Sequence, residues 1–231
     1  MNAMKEQFLN GEIILIDKPL GWTSFQVVNK IRWLIRSTFG IKKIKVGHAG
    51  TLDPLASGLL ILCTGKMTKS IEQFMGQEKE YTGTFTLGAT TPSYDLETEI
   101  DHTFPTDHIT EELLQTTLDQ FVGTIDQYPP VFSALKKDGK RLYEFAREGV
   151  EVEIPTRKVT IHSFELTQKA ISKVDFKVIC SKGTYIRSLA NDYGKALNSG
   201  AHLSALRRTR IGKFNIEQAV SIEDFEKQIK K

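Results

Sequence analysis

The chain has 231 residues, 40% of them hydrophobic, and a formal net charge of +3, enough for one large or two small domains with a true apolar core. No run of about 18 apolar residues occurs, which excludes a membrane-spanning helix. Cys63 and Cys180 lie in apolar runs, and the five His (48, 102, 108, 162, 202) are scattered with no Cys-x-x-Cys. That excludes a zinc pattern and leaves two buried free thiols, as expected of a cytosolic protein.

In chain order, residues 1–10 are short and polar and read as a frayed end. Gly11–Asp17, apolar at Ile13, Ile14, Leu15 and Ile16, predicts a buried strand followed by a Lys18-Pro19-Leu20-Gly21 turn. Thr23 or Ser24 then caps a helix with Phe25, Val28, Ile31, Leu34 and Ile35 at helical spacing, ended by Gly40. Leu59–Leu62 reads as a central strand or buried turn, and Thr68–Met75 as a short helix stopped by Gly76. Lys79–Leu87 alternates Tyr81, Gly83, Phe85 and Leu87 against Thr82, Thr84 and Thr86, the period of a half-buried strand.

Thr91–Pro105 is acidic and without period, a loop with short strands at its edges. Thr110 caps a helix with Glu111 and Glu112 in its first turn, closed by Gly123. Tyr128-Pro129-Pro130 forces extended chain, and residues 136–141 form a cationic turn, expected to be mobile, before a helix Leu142–Arg147 terminated by Gly149. Arg157–Leu166 and Lys173–Cys180 read as a strand hairpin, Thr184–Asn198 as a helix stopped by Gly200, Arg207–Ile211 as a basic strand, and Ser221 as the cap of a last helix. Many strands with few helices indicate an α+β fold around one mixed, largely antiparallel sheet flanked by helices and loops.

Charge is unevenly placed. Residues 80–135 hold ten acids and no Lys or Arg, whereas residues 193–216 hold five cations and no acid. One face can therefore attract phosphate while another repels it, which orients a polyanion. From Lys18 to Leu52 there are seven cations and no acid, and Asp53 ends that stretch.

Asp53 sits in Val46-Gly-His-Ala-Gly-Thr-Leu-Asp-Pro-Leu-Ala-Ser-Gly58, where Gly47, Gly50 and Gly58 permit positive φ or close approach and Pro54 keeps Asp53 out of helical geometry. An Asp before Pro is ordinarily a turn residue. Its isolation changes the reading: the next acid is Glu72 and the preceding one Asp17. A metal cage would gather several carboxylates; a single one suits a nucleophile or base.

Lys18-Pro19 with Gly21-Trp22-Thr23-Ser24, Gly47-His48 through Asp53-Pro54, Lys79-Glu80-Tyr81 to Leu87-Gly88, Gln127-Tyr128-Pro129-Pro130 with Ser133-Ala134-Leu135-Lys136 and Gly139, Arg141, Tyr143, and Gly183-Thr184-Tyr185-Ile186-Arg187-Ser188-Leu189 occur in this order. This set resembles the TruB-type tRNA pseudouridine synthases over residues 12–224.

The resemblance implies the pseudouridine-synthase fold and isomerisation of uridine to pseudouridine at position 55, in the T loop of tRNA, without cofactor or metal. It implies Asp53 as nucleophile, Arg187 as its ion-pair partner, and Tyr81 as the aromatic platform for a flipped-out base and acceptor of the C5 proton. Lys18, His48, Tyr185 and Leu206 would contact substrate, and the phosphate contacts would come from Lys30, Arg32, Arg36, Lys42, Lys43, Lys45, Lys136, Lys137, Lys140, Arg141, Arg207, Arg208 and Arg210.

A monomeric cytoplasmic enzyme acting on the T arm is expected, with a flexible end over residues 1–10. Residues 11–231 are expected as a single catalytic domain that leaves no room for the small C-terminal PUA-like RNA-binding domain bacterial relatives usually add. Two other readings remain: a non-catalytic tRNA-folding chaperone, which has no use for a nucleophile, and an RNA-guided synthase subunit, which needs that C-terminal domain.

Overall fold

The computed structural model describes residues 2–230 except 134, 138, 149, 151 and 171. Ala134 of the fourth motif, the expected stop at Gly149, and the side chains of Lys136, Lys137, Arg141 and Tyr143 lie outside the described residues.

The expected frayed end is a helix, α1 (Asn2–Asn10). The reason is tertiary: Phe8 is 5% exposed, its ring 5.7 Å from Phe39 and 6.2 Å from Phe225. The first predicted strand is β1 (Ile13–Lys18). The helix α2 (Ser24–Phe39) starts with a capping box between Thr23 and Gln26, and Gly40 ends it at φ 62°. Then come β2 (Val46–His48) and β3 (Ala56–Thr64). The short helix expected after them divides into a 3₁₀ turn Gly65–Ser70 and α3 (Ile71–Met75).

The alternating stretch forms β4 (Lys79–Leu87), with Tyr81, Phe85 and Leu87 buried. The acidic loop carries only a short pair, β5 (Ala89–Thr90) and β6 (His102–Thr103). Thr110 caps α4 (Glu111–Asp119). Gly123, expected to stop that helix, instead opens β7 (Gly123–Gln127) at φ 105°, because the helix has already ended at Asp119. The cationic turn is a small hairpin, β8 (Lys136–Lys137) with β9 (Lys140–Arg141), leading into α5 (Leu142–Arg147).

The predicted hairpin is β10 (Arg157–Ala170) with β11 (Lys173–Cys180), antiparallel and longer on its first strand than expected. After α6 (Ile186–Ala196) the basic strand extends N-terminally as β12 (Ala201–Ile211), followed by β13 (Phe214–Asn215). Ser221 accepts the amide of Asp224 at 3.0 Å to start α7 (Ile222–Lys230).

The chain divides into two compact units, residues 1–81 with 206–231 and residues 82–205. In the first, β3 is the organising strand. It pairs antiparallel with β1 along one edge; β12 lies parallel to its start and β2 antiparallel to its end. Leu60 and Leu62 join a core with Val28, Ile31, Ile35 and Phe225, while Leu59, Ile61 and Cys63 join another with Ala49, Phe74 and Ile211. A strand buried on both faces explains its unbroken apolar run.

The second unit is built on β4, β11, β10 and β7. Its core is aromatic, with Phe85, Phe164, Phe176 and Tyr193 at centroid separations of 4.2 to 6.2 Å, and the Tyr193 hydroxyl donates to Leu114 O at 2.8 Å. The parallel contact of β12 with β3 makes the sheet mixed; the other pairings described in register are antiparallel.

Gly58 marks a close backbone approach between β3 and β12. At φ 105°, a Cβ there would stand 2.3 Å from the carbonyl oxygen of Arg208. Gly58→Ala is therefore expected to lower unfolding free energy by about 2–4 kcal/mol, measured as a lower denaturant midpoint.

Candidate active site

The loop that carries Asp53 is fixed at five places, all within the first unit. Ser24, 2% exposed, both accepts from Leu52 N at 2.8 Å and donates to Leu52 O at 3.1 Å. Asp53-Pro54-Leu55-Ala56 closes a turn through Ala56 N to Asp53 O at 3.0 Å, and Gly21 N donates to Pro54 O at 2.8 Å. Ala49 N donates to Ile61 O at 2.9 Å. The fifth tie is Arg208.

Arg208 belonged to the expected pool of phosphate contacts, and the structure corrects that. It is 1% exposed; Nε donates to Leu59 O at 2.8 Å, Nη2 to Gly50 O at 3.1 Å and Nη1 to Thr51 O at 3.4 Å. A guanidinium buried among carbonyls holds the loop before Asp53 and the strand after it at fixed spacing. Arg207 makes a two-pronged pair with Asp17, at 3.0 and 2.7 Å, and Arg210 donates to Glu78 at 2.7 Å. The β12 cations are thus engaged within the fold.

Lys18 is 0% exposed and its ammonium donates to Pro19 O at 2.9 Å and Trp22 O at 2.6 Å, shaping the turn that meets Pro54. Burial pushes its pKa from 10.5 down to about 8, against the pull of the nearby Asp53 charge and with a push from Arg208. Lys18 and Asp53 are therefore electrostatic neighbours. His48 is half-buried, its pKa lowered first by burial and then by Arg208, so the imidazole is neutral at pH 7. Its Nδ1 is buried with no hydrogen-bond partner among the described residues. Leu206 stands opposite Ala56 in the β12 to β3 register, and Tyr81, 8% exposed, lies on the inward face of β4.

Also in the first unit, a cleft of about 530 Å³ is lined by Arg32, Arg36, Lys42, Lys43 and Lys45, beside Val46 and Gly47. Arg32 is anchored on Val46 O at 3.0 Å. These five cations of the expected pool line an open surface.

Tyr185 and Arg187 belong to the second unit. Gln127, 0% exposed, clamps the Tyr185 backbone by accepting from its N–H at 2.8 Å and donating to its carbonyl at 3.0 Å. Tyr185 therefore enters α6 at a fixed angle. Arg187, 4% exposed, donates from Nη1 to Ser93 O at 3.2 Å and has Nε 3.7 Å from Asp95 Oδ2.

Asp95, also 4% exposed, is a residue that sequence reasoning missed. It accepts from Glu97 N at 3.0 Å and follows Tyr94, whose φ is +63°. A non-glycine residue held in that region is strained by about 1–3 kcal/mol, and the turn it makes aims Asp95 at Arg187. In sequence Asp95 is one acid among Glu97, Glu99 and Asp101; only its pairing distinguishes it.

Two family models match, "TruB family pseudouridylate synthase (N terminal domain)" over residues 36–186 and "tRNA pseudouridylate synthase B C-terminal domain" over 187–231. The chain is 62% identical to tRNA pseudouridine synthase B of Flavobacterium johnsoniae, covering 97% of this chain and 98% of the relative. It is 57% identical to that of Phocaeicola vulgatus, covering 94% and 93%.

Among solved structures it resembles a chain in a Cbf5-Nop10-Gar1 complex at TM-score 0.73 and 30% identity, over 97% of this chain and 56% of that one. Another is a chain in an H/ACA ribonucleoprotein bound to a substrate RNA containing 2′-deoxyuridine, at TM-score 0.69 and 28% identity, over 98% and 55%. This chain spans just over half the length of those two. Fold and motifs together define a pseudouridine synthase. Within that class the chain belongs to the TruB family.

The depressed pKa of Lys18 has a pH signature. The unfolded chain holds this proton up to 10.5 and the folded chain only to about 8, so between those pH values the unfolded state binds more protons. Stability contributed by this group rises across that window, and the burden of the buried charge is fully present below pH 8. Lys18→Met is expected to flatten that rise, measured by denaturant midpoints from pH 7.5 to 10.5.

Proposed function

We propose that this chain isomerises uridine to pseudouridine at position 55, in the T loop of tRNA, with Asp53 as nucleophile on a flipped-out base. In the reaction the N1 to C1′ bond breaks, C1′ bonds to C5, the C5 proton leaves and N1 takes one up. The observation that carries this reading is the rigidity of the Asp53 loop beside a buried ammonium, in a chain of the TruB family.

A carboxylate tied down at Leu52, at its own carbonyl and at Pro54 is held close to one geometry, which lowers the entropy lost on approach to the reacting carbon. The Lys18 ammonium is an electrostatic neighbour of that carboxylate, and a single carboxylate so placed suits a nucleophile. Tyr81 serves as the stacking platform and receives the C5 proton. Tyr185 walls the base, Leu206 adds an apolar contact, and neutral His48 reaches the RNA with an imidazole able to accept or donate. Arg187 is the remaining catalytic residue, its charge steadied by Asp95. The Arg32 to Lys45 cleft supplies phosphate contacts. The enzyme works as a monomer in the cytoplasm; among the described residues no helix is long and apolar enough to cross a membrane.

The test uses tRNA transcript tritiated at C5 of uridine. Wild-type protein is expected to release tritium, and Asp53→Asn to bind the RNA with similar affinity and release at least about a thousandfold less. Equal release by the variant removes Asp53 as nucleophile; release from uridines outside the T loop removes the assigned target. Arg187→Lys is expected to keep folding and lose most turnover, since an ammonium replaces neither the planar fork nor its reach. Raising salt from 50 to 200 mM is expected to weaken tRNA binding by at least an order of magnitude, checked by filter binding.

A further inference from the structure

Arg157 opens β10 opposite Gln127, the residue that clamps Tyr185. Its guanidinium carbon lies 4.2 Å from the centroid of the Tyr185 ring, so cation and aromatic face stack. Gly183, at φ 83°, lies beside the guanidinium: a Cβ there would stand 3.5 Å from Nη1. Burial pushes the Arg157 pKa down, opposed by Tyr185.

Nε and Nη2 of Arg157 are both buried and neither has a hydrogen-bond partner among the described residues. These two nitrogens form one edge of the guanidinium, the side-on fork whose parallel N–H bonds match two oxygens of a single phosphate or carboxylate. Buried donors are nearly always satisfied, so an empty fork asks for an explanation. Arg157 also lines a cleft of about 560 Å³ whose other walls include Pro129, Leu135, Leu142, Ile154 and Pro155, with exposed Glu153 at the side. Its volume is in the range of roughly 300–1,000 Å³ common to ligand clefts. Apolar walls around one guanidinium suit a nucleotide, its base against the prolines and leucines and its phosphate on the fork.

We infer that Arg157 and this cleft form an RNA subsite: the side-on edge of Arg157 takes the phosphodiester of a nucleotide other than the target uridine, while its face braces Tyr185. The inference rests on the functional reading above. Access to the fork requires a small shift of the lining residues, which the arriving phosphate compensates by satisfying both donors.

The experiment is filter binding of full-length protein to tRNA transcript across 50–300 mM salt, with tritium release measured in parallel. Arg157→Met is expected to bind about tenfold more weakly and to lower the slope of log K against log salt by about one ion. Arg157→Lys is expected to restore the slope and only part of the affinity, because it keeps the charge and loses the fork.

Weaker binding with a wild-type slope overturns the phosphate contact and leaves Arg157 as a brace for Tyr185 alone. Unchanged affinity and slope overturn the subsite altogether. If Arg157→Met does not fold, the Nε–H resonance of Arg157 in the wild type, assigned by its loss in Arg157→Lys, decides the matter: a shift on adding tRNA supports the contact, and no shift overturns it. Wild-type protein that neither binds nor turns over tRNA overturns the functional reading itself, and the subsite with it.

Discussion

The first unit depends on one buried cation. Arg208 lies in β12, where its backbone passes so close to Gly58 that no side chain fits, and its guanidinium reaches the carbonyls of Gly50, Thr51 and Leu59. One residue thus joins the parallel strand contact to the loop on either side of Asp53. Removing a charge from such a place leaves carbonyls unpaired in a dry interior, a larger loss than the same bonds would represent at the surface. The loop's geometry is accordingly a property of the sheet.

Around that constraint the charges divide into different tasks. Lys18 and Arg208 are buried cations whose donors go to backbone oxygens, and the Arg208 charge adds to burial in lowering the pKa of Lys18 and of His48. Arg187 in the second unit is balanced by Asp95 and by the Ser93 carbonyl. The open cations Arg32, Arg36, Lys42, Lys43 and Lys45 line a cleft instead. A chain with a net charge of only +3 can therefore present a basic surface, because many of its other cations and acids neutralise each other internally.

Much of this was legible in sequence, for identifiable reasons. The capped helix α2, the alternating strand β4 and the β10 to β11 hairpin each follow from local periodicity and cap chemistry, which act over a few residues. The Gly-rich loop with its solitary carboxylate was visible because those residue types are uncommon together.

What escaped was non-local. The helix α1 exists because Phe8 finds Phe39 and Phe225. Arg208 and Arg207 are neighbours in one basic run, yet one is entombed among carbonyls and the other pairs with Asp17 at the flank. Asp95 is indistinguishable from the acids beside it until the strained turn at Tyr94 is seen. Composition reports how many charges exist; only packing reports where they point.

The double-faced burial of β3 carries a consequence for how this protein fails. The loop of Asp53 runs directly into that strand, and the strand's side chains belong to both apolar layers of the unit. Amides of so deeply buried a strand are expected among the last to exchange with solvent. Heat or denaturant should therefore extinguish this loop's architecture and the surrounding sheet in a single step, with no intermediate in which the protein is folded but the aspartate has come adrift.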